Sequence, residues 1–389
     1  MARKHKYVVK LLVASGGMLA LILVLTLLKS VNFLSESVFT RGISRAYIFV
    51  AGHITGLFPF SVFEILVGTA IILALVSIVK WSIYLKRKQF YKVARGLSRA
   101  LTVLLTVILV YTATASFSYY RSDITGHVPM SSEKPDAVTV MEMVDYYTRD
   151  YNALAEKMSR DENGNVVCPY TFNELAIIMQ EEMQRLDSDY FNPYTPRPKK
   201  IIAGDIMGAF GTLGISFQPT GEANIGSQTV AIDLPSLMAH ELTHSKGVMR
   251  ENDAVFVAAY ITLTSDNDYI RYSGYCNNFY NIKEMLYLND IMVDYAKEGY
   301  TFASPLTNFD LTYRFESYAK YPDVIDKVGT FFNNLYLKMS GVEDGTDSYT
   351  VVGDVTVIKP PQGGETQRII HYSTIQKSVI FHYETMSEK

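Results

Sequence analysis

Apolar residues are distributed unevenly along the chain. Residues 11–28 and 101–120 carry no charge, and residues 60–84 carry only Glu64 and Lys80, near the two ends of the run. About 20 apolar residues are enough to cross the hydrocarbon core of a bilayer. The pattern therefore predicts three transmembrane helices within residues 1–120. A single run of this kind would fit a buried core helix, but three in succession do not. The first run follows a basic start, as in a secretion signal, yet it is long for a cleaved signal and no A-x-A-like site follows it.

Beyond Tyr120 the pattern changes. Residues 121–136 are polar, contain Gly126 and Pro129, and read as a linker. Helical periodicity runs over 137–160 and is broken by D-E-N-G-N at 161–165. Thr171 and Glu174 form the T-x-x-E of a capping box and open a further helix. A strand is expected at about 201–203, a glycine-rich stretch follows over 204–226, and 229–233 reads as extended. Pro235 suits the first turn of a helix that Gly247 would end. A second helix is expected over 250–263 and mainly helical structure over 275–339, with short strands or turns after Gly341. The fold class is α+β, mainly helical, with residues 137–389 as one domain beyond the membrane part.

Charge refines this reading. The N-terminus holds Arg3, Lys4, Lys6 and Lys10, and the loop between the second and third runs holds Lys86, Arg87, Lys88, Lys92, Arg95 and Arg99. Between the first and second runs lie only Lys29, Arg41 and Arg45. The excess of basic residues in cytoplasmic loops then places the N-terminus inside and everything after Tyr120 outside a plasma membrane. A net charge of −3 argues against a nucleic-acid partner, so the expected partners are the lipid bilayer and a substrate. Cys168 and Cys276 both fall in the outer part, where a disulfide is permitted but not required.

Candidate chemistry centres on L-P-S-L-M-A-H-E-L-T-H-S-K-G-V-M-R-E-N-D, residues 234–253. Residues four apart share one face of a helix, so His240 and His244 can present two imidazoles to one zinc ion. Glu241 lies beside them, placed to accept a proton from a water that the metal activates. Two histidines solvated on a surface helix would share the spacing, but the uncharged P-S-L-M-A before the motif fits a buried helix.

The block S-F-Q-P-T-G-E-A-N-I-G-S-Q-T-V-A-I-D-L-P-S-L-M-A-H-E-L-T-H-S-K-G-V-M-R-E-N-D-A-V-F-V-A-A-Y, then Y-I-R-Y-S-G-Y and N-N-L-Y-L-K-M-S-G-V-E-D-G-T-D-S-Y-T-V-V-G-D, resembles bacterial domain-of-unknown-function family 3810. T-G-L-F-P-F-S-V-F-E, residues 55–64, is similar to its N-terminal pattern. The resemblance reaches from the first apolar run to about Val357. It implies a membrane protein with a zincin-like outer domain related to zinc peptidases. Where the family usually has an acid pair before Ala-Asn, this chain reads E-N-D-A-V, with Asp253 and Val255 departing from the pattern.

Candidates for the third ligand downstream of Gly247 are Arg250, Glu251, Asp253 and, more remotely, Asp266. In the zincins that continue the motif as H-E-x-x-H-x-x-G-x-x-H, the ligand slot falls on Arg250, a cation that cannot bind zinc. The other large class takes a glutamate from a second helix, and E-N-D-A offers Glu251. Glu251 and Asp253 point roughly 200° apart on a helix, so only one of them faces the metal. Glu251 has the longer reach, leaving Asp253 as the alternative ligand, or as an acceptor for a ligand histidine or a cap. Tyr272, Tyr275 and Tyr349 are candidate donors to the oxyanion of an acyl-transfer intermediate. Glu222 is a candidate partner for a ligand histidine, or a cap. The edge for a bound peptide would be G-I-S-F-Q-P-T-G-E-A-N-I-G. The expected function is that of a membrane-anchored zinc metallopeptidase acting outside the cytoplasm. A non-catalytic receptor on the same fold and a zinc amidase acting on cell-wall material are the rivals.

The orientation has a direct test. A membrane-impermeant thiol probe applied to intact cells should label cysteines introduced after Arg121 and leave those introduced between Arg87 and Arg95 untouched. Labelling of the second group from outside would reverse the orientation.

Overall fold

The computed structural model describes residues 2–321, 323–358 and 367–387. Three helices are long and apolar enough to cross a membrane, over Lys6–Leu28, Val62–Lys86 and Phe90–Thr114. They belong to α1 (Ala2–Leu28), α3 (Val62–Lys86) and α4 (Phe90–Thr114), and α4 packs against both of the others. α4 begins within the basic segment that pattern alone assigned to a loop, so only Arg87, Lys88 and Gln89 connect it to α3. Between α1 and α3 lie a π-helical segment (Leu34–Ser44) and α2 (Arg45–Gly56), neither of which the apolar pattern announced.

The following segment, expected as a linker, is packed into the domain. Arg121, Ile124, Val128 and Ser131 are all buried. It leads to α5 (Ala137–Lys157), capped by the Asp136 side chain, and to α6 (Phe172–Glu182), opened by the Thr171–Glu174 capping box. A three-stranded sheet comes next. β1 (Lys199–Ile201) pairs in parallel with β3 (Glu222–Gly226), and β2 (Gly214–Phe217) pairs antiparallel with the other side of β3. The short helix α7 (Gly204–Ala209) lies between β1 and β2 in sequence. Residues 231–233 form a 3-10 turn rather than the expected extended segment. The buried Asp233 carboxylate there takes hydrogen bonds from Asn277, Arg314 and Tyr318, which hold the turn against the helices.

α8 (Leu234–Ser245) then runs beneath β2 and β3 and packs against α9 (Glu251–Leu263) and α10 (Asp268–Leu288). α11 (Met292–Lys297), α12 (Pro305–Ala319) and α13 (Asp323–Met339) follow, then the antiparallel pair of β4 (Asp354–Ile358) and β5 (Gln367–His371) and the helix α14 (Thr374–Ser387). α14 is part of the core, with Ile375, Val379 and Ile380 buried beside Tyr147 and Phe256. Cys168 and Cys276 are both free thiols.

The apolar helices and the domain are joined through carboxylates, of which Glu222 and Glu36 are buried. Glu222 accepts from the backbone amides of Val62 and Phe63, at 2.9 and 2.8 Å, and so caps α3, while Lys199 Nζ neutralises it at 2.6 Å. In return Glu64, in the first turn of α3, accepts from the amides of Ile202 and Ala203 ahead of α7. Glu36 pairs with Arg121 at 2.7 Å, and Arg121 also donates to the carbonyls of Gly247 and Tyr190. Burial works against the charge of Glu36, but bonds from Arg121, Arg41 and Ser122 hold its carboxyl down at about 2.

A depressed carboxylate stabilises the folded state above its unfolded pKa and loses that contribution as pH falls through the folded one. For Glu36 that window runs from about 4.5 down to about 2. A shift of this size corresponds to about 3 kcal/mol. Thermal melts of the full chain should show Glu36→Gln destabilised at pH 7 by that order, with a weaker pH dependence below 4.5. Equal stability of the two proteins at pH 7 would contradict the account.

Candidate metal centre

α8 is buried on nearly all sides, with Met238, Ala239 and Leu242 in the core. Pro235 occupies its first turn, and Gly247 follows its end with φ +88°, a left-handed conformation that glycine adopts without strain. Two side chains fix that end: Asn192 donates to the Ser245 carbonyl at 2.9 Å and Gln218 to the His244 carbonyl at 3.2 Å. The last turn of α8 is thereby locked where its histidines meet α9.

His240 Nε2 and His244 Nε2 are 3.2 Å apart. Glu251, the first residue of α9, brings Oε2 to 3.2 Å from His240 Nε2 and 3.4 Å from His244 Nε2. Zinc ligands at about 2.0–2.1 Å in a tetrahedral arrangement lie about 3.3–3.4 Å from one another. The three observed separations agree with that spacing. Among the described residues this is the group of three or more His, Cys, Asp or Glu side chains close enough to share an ion.

The electrostatics point the same way. His244 Nδ1 lies 2.8 Å from the Val248 carbonyl. A carbonyl can only accept, so Nδ1 carries the hydrogen and Nε2 of the neutral ring turns its lone pair into the cluster. Glu251 Oε2 is buried and accepts no well-aligned hydrogen bond. Acceptors converging at this distance repel one another unless positive charge lies between them. Burial disfavours a charged His244, but the Glu251 and Glu241 carboxylates outweigh it and raise the ring to about 9. Burial likewise opposes ionisation of Glu251, yet the two imidazoles hold it far below the ordinary carboxylate range. The donor set, two nitrogens and one oxygen, suits zinc.

Glu241 points beside the cluster. It is buried, and burial pushes its carboxyl above the ordinary range against the pull of both histidines, while the Ser216 amide of β2 donates to it. The backbone comes very close here: a Cβ at Gly214 would lie 2.5 Å from Glu241 Oε1. Gly214 is thus a site residue that pattern reading missed. Its signal was a glycine at a strand start, which marks close approach.

Tyr349 also reaches the site. Its ring stacks over His240 with centroids 6.3 Å apart, Asn333 donates to its hydroxyl, and burial and the Glu251 carboxylate raise its pKa. Tyr272 is placed elsewhere, because its phenol is committed to Asp310, which Arg160 also grips. Asp253 turns away from the cluster and pairs with Arg250 at 2.7 Å. Glu222 touches neither histidine; the helix amides and Lys199 take its oxygens, so of its two expected roles it fills that of a cap. His53, His127, His371 and His382 each have other partners.

The model of a family described as "Protein of unknown function (DUF3810)" matches residues 39–356. That stretch begins within the π-helical segment and includes both later apolar helices and the whole His–Glu cluster. No curated protein and no solved structure matches the chain.

The ligand assignment is testable by metal analysis of purified protein. Glu251→Ala should lower zinc content and affinity by at least about tenfold, as His240→Ala and His244→Ala should. Asp253→Ala should change zinc content little. The reverse order of the two acidic variants would move the third ligand to Asp253.

Proposed function

The chain belongs to the DUF3810 family, and from the geometry of its own cluster we propose that it is a membrane-anchored zinc metallopeptidase. The observation that carries this reading is the convergence of His240, His244 and Glu251, with a buried carboxylate, Glu241, beside them and outside the ligand set. His240 Nε2, His244 Nε2 and Glu251 Oε2 would hold the ion. Zinc bound there supplies a Lewis acid, which acidifies water and polarises a carbonyl.

The chain's own residues supply the rest. Glu241 takes a proton from the attacking water and passes it to the leaving amine, a task suited to a carboxyl whose proton affinity burial has raised. The Tyr349 hydroxyl, kept protonated beside His240, donates to the oxygen on which negative charge develops. β2 is an edge strand of its sheet, and an extended peptide would add to its free side, next to Glu241. By the basic-residue asymmetry of the short loops, the site would lie outside the cytoplasm.

A purely structural zinc site is closed by four protein ligands. The three-residue cluster and the adjacent base favour the catalytic reading over a receptor or scaffold. Cell-wall amides would use the same machinery, and assays on peptides and on muropeptides separate the two substrates.

Glu241→Gln should retain zinc and lose about two to four orders of magnitude in hydrolysis. Gly214→Ala, which crowds that carboxylate without touching a ligand, should also retain zinc and lower kcat. Full turnover by Glu241→Gln on a confirmed substrate would refute the mechanism.

A further inference from the structure

α13 presents its apolar side away from the protein. Ile325, Val328, Phe332, Leu335 and Met339 recur at intervals of three and four residues, and all are exposed, Phe332 by 61% and Met339 by 75%. At 100° per residue they form one narrow stripe. In the C-terminal half of the helix the opposite side makes protein contacts: Leu337 is fully buried and Asn333 bonds Tyr349. A soluble surface helix has the reverse arrangement, with its polar side outward. Lys327 and Lys338, both exposed, lie together on one side of the stripe.

The position of α13 indicates what covers the stripe. α3 and α4 are neighbours joined by a three-residue turn, so the start of α3 and the end of α4 share one side of a bilayer. α13 is tied to both. Near its C-terminus Tyr336 hydrogen-bonds Tyr111, in the last turn of α4, and Tyr119 just beyond, at 3.0 Å. Towards its N-terminus the Phe210 carbonyl, directly after α7, lies so close that a Cβ at Gly329 would fall 2.1 Å from it. α7 in turn follows the amides that Glu64 of α3 holds. A helix of 17 residues, about 25 Å long, thus stretches between two anchors at the ends of the apolar helices. Beside it an open apolar cleft of about 470 Å³, lined by Ile206, Ala209, Phe210, Ile325 and Val328 with Asp205, continues the stripe.

We propose that α13 is an interfacial helix, lying in the plane of the membrane with its stripe in the boundary between headgroups and acyl chains. Its occupant is the lipid of the leaflet that α3 enters and α4 leaves. An amphipathic helix with lysines beside its apolar stripe and large apolar residues along it binds that layer through buried apolar area and attraction to phosphates. Continuity with the apolar helices supplies the rest of the argument, since a lipid surface already borders both anchors. The inference does not depend on the metallopeptidase reading. It has a consequence for the site, because Asn333 reaches Tyr349 from the side of α13 that faces the domain.

The chain contains a single tryptophan, Trp81, which allows a clean optical test. Full-length protein carrying Trp81→Phe and Phe332→Trp is reconstituted into phosphatidylcholine–phosphatidylglycerol vesicles with or without bromines on the acyl chains. Leu335→Trp repeats the reading one turn along, and Tyr280→Trp, exposed by 66% on α10, serves as the control. The helix in lipid predicts blue-shifted emission from positions 332 and 335, reduced by about half or more in brominated vesicles, with the control unquenched. Water-like, unquenched emission from both positions would overturn the proposal. So would blue-shifted emission that bromine does not quench and that fades on dilution of protein in lipid, the signature of a second copy covering the stripe.

Discussion

Two imidazole nitrogens and a carboxylate oxygen converge within 3.4 Å of one another, with His244 and Glu251 buried and His240 half-buried. Unpaired acceptors in a low-dielectric interior are costly, so such an arrangement persists only where positive charge sits between them. Much of the domain serves to hold it. α8 is enclosed by the sheet, α9 and α10, its last carbonyls are taken by Asn192 and Gln218, and Glu251 stands at the start of α9, where the helix dipole favours an anion.

The same demand for paired buried charge fastens the domain to the apolar helices. Glu222 caps α3 from the domain and Glu64 of α3 holds the amides ahead of α7 in return, and the Glu36–Arg121 pair extends through Arg121 to the carbonyl of Gly247, just past α8. A shift of the domain on the apolar helices would leave the buried Glu36 and Arg121 unpaired, which costs several kcal/mol, and would strip Glu222 of its amide donors. The site is therefore held at a set position relative to the apolar helices.

Features governed by local physics were legible in the sequence. The three apolar runs, the helix between Pro235 and Gly247, the Thr171–Glu174 box and the i, i+4 histidines all depend on neighbours within a few residues. The separation of Glu251 from Asp253 followed from helical angle alone. What escaped depended on distant partners. Glu222 reads as an acid beside a histidine motif, yet its amide donors lie 160 residues away in sequence. Tyr272 sits in a stretch that resembles the family, but Asp310 takes its phenol. α2 and the π-helical segment carry too few consecutive apolar residues to stand out. α14 had a local signal that went unused, because Ser373 and Gln376 exchange capping hydrogen bonds in an S-x-x-Q box.

The central claim is that the cluster is a zinc site with light-atom ligands. X-ray absorption at the zinc edge, on full-length protein purified without chelator, tests it most directly. The account predicts stoichiometric zinc, a first shell of nitrogen and oxygen alone at about 2.0–2.1 Å, and outer-shell scattering from two imidazole rings. A protein that takes up no zinc, or a first shell containing sulfur, would contradict it.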